Sequence, residues 1–187
     1  PDNIVTNYVE EHLPVATPVF CFGYKEAIEG EENTLEEEMA MSIIMDIAVG
    51  QMSPFYKKLL DEGLVNNTFY TEFFNGHNYA VSMFSGESSD PQTLARRINE
   101  CFAELKKTLI TEEDFEIVRK KQYGKTVRAF SDIDTLANGL IISHFEKEDL
   151  FAEFKAIKDM KLSFVNEMLQ KSFNEDKAVL SVVCQQK

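Results

Sequence analysis

The 187-residue chain has three histidines, His12, His77 and His144. A hydrolytic zinc site on a helix needs H-x-x-E-H. Two imidazoles one turn apart then hold the ion, and the glutamate activates water. Glu11-His12 supplies the last two positions of that pattern, but Tyr8 stands at the first. His144 and Glu148 have the i,i+4 spacing that places two ligands on one helix face. His144 also falls on the apolar stripe of its own helix, and zinc requires three or four convergent ligands. His144 is therefore read as a core or boundary residue, and His77, just after a turn, as exposed. The residues predict no catalytic group and no metal site.

Other chemistries lack their signatures. The chain has no G-x-S-x-G elbow, no G-x-x-x-x-G-K-[ST] phosphate loop and no G-x-G-x-x-G. Cys21, Cys101 and Cys184 lie in apolar surroundings without C-x-x-C spacing, and read as buried thiols of a reducing compartment. Glu36 to Glu38 suit the positive end of a helix. Asp61-Glu62 sit at a helix C-terminus, where the dipole disfavours them. Either they are exposed and screened, or they face a positive group. A formal net charge of −13 argues against nucleic-acid binding and otherwise reads as solubility. No apolar run reaches the ~18 residues that would span a membrane.

The elements that would position any site centre on 50–86, G-Q-M-S-P-F-Y-K-K-L-L-D-E-G-L-V-N-N-T-F-Y-T-E-F-F-N-G-H-N-Y-A-V-S-M-F-S-G. Ser53 is a good N-cap and Pro54 suits the first helical position. Gly63 can end that helix. Residues 68–74 favour strand, Asn75-Gly76 signals a hairpin turn, and residues 79–84 alternate as a second strand.

Upstream, 1–16 reads as an extended lead-in and Val19 to Phe22 as a short buried strand. Thr34 caps a helix with Leu35, Met39, Ile43 and Ile47 on its buried face. Downstream, Asp90-Pro91 and Thr111-Glu-Glu-Asp114 open helices. The second of these should end near Tyr123-Gly124. A helix over about 126–145 then carries Ile133, Leu136, Leu140, Ile141 and His144, with a kink or fresh cap at Ser131-Asp132. A short helix over Glu148 to Ile157, a helix capped by Ser163 and a final strand from Ala178 to Cys184 complete the chain. Strands and helices do not alternate regularly, so the fold class is α+β. It is read as an antiparallel or mixed sheet with helices on one face, in one domain over 17–187.

The segment S-P-F-Y-K-K-L-L-D-E-G-L-V, with the aromatic hairpin after it, resembles the C-terminal domain of the insulinase-like metallopeptidases. These are the inverzincins, which include insulysin, pitrilysin and the mitochondrial processing peptidases. T-P-V-F-C-F-G-Y-K-E is similar to the strand that opens the family's second domain. F-S-G-E-S-S-D-P-Q-T-L, E-E-D-F-E-I-V-R-K-K-Q-Y-G-K and R-A-F-S-D-I-D-T-L-A-N are similar to that domain in bacterial members. The resemblance implies a metallopeptidase-chamber domain of the non-catalytic kind, with zinc ligands in a preceding domain, and a start at Pro1 fits a catalytic part lying upstream. It implies no cofactor in this chain and zinc in the full-length protein. Its implied partners are the upstream catalytic domain, a peptide substrate and a homo- or hetero-oligomer with a related subunit, without nucleic acid or membrane. A cytoplasmic bacterial setting follows from the same resemblance.

Many members place an arginine and a tyrosine near the zinc in R-[DE]-x-G-L-x-Y. Here Leu60 falls at the arginine and Asn66 at the tyrosine, within L-D-E-G-L-V-N. Asn66, Phe69 and Tyr70 are the candidate peptide-binding residues, because a strand edge there can pair with an extended substrate. Two other readings stand beside this one: a zinc-free scaffold or partner subunit of such a peptidase, and an independent interaction module.

Overall fold

A computed structural model describes residues 3–28, 30, 33–146 and 149–186. Five strands form one mixed sheet: β1 (Tyr8–Leu13), β2 (Val19–Glu26), β3 (Tyr70–Gly76), β4 (Tyr79–Glu87) and β5 (Ala178–Gln185). Their order across the sheet is β1-β5-β2-β4-β3. β1 runs parallel to β5 and the other pairs are antiparallel. This is the α+β fold that the irregular element order predicts. The lead-in over 1–16 supplies a strand of its own, paired from Tyr8 with Leu180 to Leu13 with Gln185.

The period-2 alternation of each strand sorts its side chains. Phe20, Phe22 and Tyr24 of β2, Phe84 of β4, and Leu180 and Val182 of β5 are buried against helices. On the opposite face Val19, Cys21, Val81, Met83, Val179 and Ser181 are half-buried or exposed. The core is aromatic. Tyr24 meets Phe102 and Phe173 edge-on at 5.9 and 5.5 Å, and Phe102 stacks on Phe173 at 3.9 Å.

The helices begin where capping chemistry starts them. Thr34 and Glu37 form a reciprocal capping box on α1 (Leu35–Val49). Ser53 Oγ accepts the Tyr56 N–H at 3.0 Å to open α2 (Pro54–Asp61). Asp90 accepts the Thr93 N–H at 3.0 Å on α3 (Pro91–Thr108), and Thr111 accepts the Asp114 N–H at 3.2 Å on α4 (Glu112–Ala129).

Several expectations change. The hairpin turn is His77-Asn78, because Gly76 pairs with Tyr79, and Asn78 takes the left-handed conformation at φ 64. A Cβ on Gly76 would sit 2.7 Å from the ring of Tyr79, an exposed side chain free to swing aside. α4 runs through Gly124, whose Cβ position is open space, to Ala129. Asp132 then opens a new helix, α5 (Ile133–Glu146), by accepting the Thr135 N–H at 2.8 Å. The stripe on α5 is not core, since Ile133 is 82% and Phe145 78% exposed, and His144 is exposed too. The next helix, α6, is Ala152–Asp159, and Glu148 lies outside the described residues. In α7 (Leu162–Lys171), Ser163 lies inside the first turn and Lys161 occupies the cap position.

Candidate functional site

Asn66 sits in the connection from α2 to β3. Its Oδ1 accepts the Thr68 N–H and hydroxyl at 2.9 and 2.6 Å, closing a local turn. Its Nδ2 donates to Glu87 Oε2 at 2.7 Å, and the Glu87 N–H donates to Thr68 Oγ1 at 2.9 Å. Together these bonds tie the entry to β3 to the end of β4. Gly86 makes the crossing possible. It has φ +148, and a Cβ there would lie 2.9 Å from Phe69 Cα.

The three candidate residues separate in space. Phe69 is a core residue, 4% exposed, with its ring 6.3 Å from Phe20 and 5.8 Å from Tyr56. Tyr70, the next residue along, alternates outward and is 52% exposed. It borders a shallow depression of about 480 Å³ on the open sheet face, lined by Val19, Cys21, Met83, Ser181 and Val183 with Glu87 at its rim. Asn66 reaches this depression through its bond to Glu87.

The described residues do not assemble a zinc ligand set: no three His, Cys, Asp or Glu side chains among them converge. Glu11-His12 lies on a strand, not a helix. His12 is beside Glu10, 3.4 Å away, and Glu11 alternates to the other face. His77 and His144 are exposed on separate elements. The donors among the described residues therefore do not fit a zinc ion. The cysteines are free thiols of intermediate burial, and burial pushes Cys101 up to about 11. Glu62 has its positive group within the chain: Arg97 donates to both of its oxygens, at 2.9 and 3.4 Å.

One carboxylate escaped the sequence reading. Glu26 is 8% exposed at the end of β2. It accepts the Ser82 hydroxyl at 2.7 Å, and desolvation pushes it up to about 7. Its i+2 spacing from Phe20, Phe22 and Tyr24 was the available signal, because that period places all four on the buried face.

No family model matches the chain. "Uncharacterized zinc protease YmfH" of Bacillus subtilis (strain 168) is 24% identical over 149 residues, covering 80% of this chain and 35% of its own length. The crystal structure of an M16-like peptidase from Alicyclobacillus acidocaldarius superposes with a TM-score of 0.91 at 28% identity, over 100% of this chain and 45% of that one. The peptidase M16 inactive domain from Pseudomonas fluorescens matches with a TM-score of 0.73 over 96% of this chain and 43% of that one, a likeness of fold at 11% identity. The chain thus spans less than half the length of each of these proteins. It resembles one domain of the M16, pitrilysin–insulinase, peptidases, and the described residues lack a catalytic metal site.

Proposed function

We propose that this chain is a non-catalytic chamber domain of a zinc endopeptidase, which encloses an extended peptide and positions it over zinc held by another domain. The observation that carries the reading is the whole-length superposition on an M16-like peptidase at 28% identity, in a chain whose described residues bring no three metal donors together. The open, partly apolar sheet face and the outer edge of β3, which no other described strand covers, support the enclosing role, because both are surfaces that extended peptides use.

The test is on the native, uncut protein: metal content, and peptidase activity before and after chelation. The reading expects zinc and chelator-sensitive cleavage, while the 187-residue chain alone takes up no stoichiometric zinc and cleaves nothing. Zinc bound at unit stoichiometry by this chain would overturn it.

A zinc-free scaffold subunit is the second reading, favoured by Leu60 and Asn66 where many family members carry arginine and tyrosine. Leu60 is 45% exposed, and Asn66 is engaged by Thr68 and Glu87. That reading expects neither zinc nor cleavage until a zinc-bearing subunit is added. A native chain with no second peptidase-like domain and a specific partner would instead mark an independent interaction module.

A further inference from the structure

Helix α5 has one side against the domain and one side in water. Leu136, Gly139 and Ser143 are its half-buried residues, and a Cβ on Gly139 would lie 3.2 Å from Leu150. Ile133, Ala137, Ile141 and Phe145 form a row at four-residue spacing on the outer side, with Leu140 and His144 beside it. All six are exposed, Ile133 and Phe145 by about four-fifths and Leu140 and Ile141 by just over half. The stripe shows roughly 600 Å² of largely apolar surface, the size of the largest patch on an ordinary monomer. The row is also self-complementary. Turned end for end about residue 139, it sets Ile133 against Phe145, the small Ala137 against Ile141, and Asp134 against His144. The two Leu140 side chains then meet beside the axis.

We infer that α5 is the interface of a two-fold homodimer, in which two copies pack this helix antiparallel through Ile133, Ala137, Ile141 and Phe145. Two observations select a second copy as the occupant. The first is the area. Two stripes bury on the order of 1,200 Å², which clears the size of a specific interface. The second is the pairing of large with small and of carboxylate with imidazole, which the symmetry repeats on both sides of the axis. Each copy carries a net charge of −13, so long-range electrostatics oppose the pairing and the apolar row has to hold it. α5 adjoins Leu35, Phe130 and Leu150 in the helical layer. The contact therefore joins two helical layers back to back and leaves the open sheet face uncovered. It does not depend on the enclosing role proposed above.

Sedimentation equilibrium of the 187-residue chain and of the native, uncut protein tests this. Both should form dimers with a dissociation constant on the order of 10 μM. Raising salt from about 0.1 M to about 0.5 M should tighten them, because it screens the repulsion between the two acidic copies. Ile141→Asp and Phe145→Asp should each weaken the dimer by about tenfold or more, with the fold intact by circular dichroism because both side chains are exposed. Tyr70→Ala, on the open sheet face, should leave the constant unchanged. Asp134→Lys should weaken association a few-fold, and adding His144→Glu should restore it. A chain that stays monomeric to about 200 μM would overturn the dimer. Tyr70→Ala costing as much as Ile141→Asp would move the contact to the sheet face and overturn it too. A monomeric native protein beside a dimeric 187-residue chain would give the stripe to the rest of the native chain instead of a second copy. Failure of His144→Glu to restore the Asp134→Lys variant would overturn the antiparallel register.

Discussion

The buried carboxylate of Glu26 accepts the backbone N–H of Phe173 at 3.1 Å, tying the end of β2 to the connection before β5. Phe173 is held there in the left-handed conformation at φ 54, and Lys106 donates to its carbonyl at 3.3 Å. Burial raises Glu26 to about 7, opposed by the bonds from Ser82 and Phe173 and by the charges of Lys106 and Lys177. A carboxyl whose folded-state value lies above its unfolded value favours the protonated fold. Its stabilising contribution is fully present below about 4.5 and is lost as pH rises through about 7, a change of up to roughly 3 kcal/mol. Urea unfolding from pH 5 to 8.5 should show wild type losing stability relative to Glu26→Gln across that window. Parallel pH profiles for the two proteins would refute this.

Phe69 and Tyr70 are adjacent but face opposite ways, and their alanine variants should separate. Phe69→Ala removes a ring packed between Phe20 and Tyr56 and should cost ~3–5 kcal/mol. Tyr70→Ala should change stability by less than ~1 kcal/mol and weaken peptide binding. Equilibrium denaturation and peptide anisotropy on the same preparations give both answers.

Gly86→Ala should destabilise by roughly 2–4 kcal/mol, since it adds a Cβ at φ +148 and drives it into the Phe69 backbone. A thermal melt unchanged from wild type would mean the two segments do not cross so closely.

The Glu62–Arg97 pair is bidentate and partly shielded, with side chains 35% and 20% exposed. A double-mutant cycle with Glu62→Ala and Arg97→Ala should give a coupling of about 1 kcal/mol, reduced by salt.

Much of the fold was legible because local chemistry decides it. Ser53-Pro54, Thr34, Asp90-Pro91 and Thr111 start helices through hydrogen bonds to residues three further on, which a linear sequence displays. The remainder depends on distant partners. Tyr8–Leu13 reads as a linker until β5 pairs with it, 172 residues away. Asn75-Gly76 is a good turn dipeptide, yet the register set by β4 places the turn at His77-Asn78. The stripe on α5 has the period of a core helix, and only the packing reveals that much of it faces solvent. At the site, the outward alternation of Tyr70 is readable by counting. The bond from Asn66 to Glu87 spans 21 residues and follows from the crossing at Gly86.

The sheet order bears on how the chain is synthesised and folds. β5 lies between β1 and β2, so residues 178–185 must leave the ribosome before β1 has a strand to join. Until then β2 also shows a bare backbone edge beside its buried aromatics. From the emergence of β2 until that of β5, the nascent chain therefore holds β1 unpaired and one edge of β2 bare, a state in which sheet proteins are exposed to aggregation and to chaperone capture.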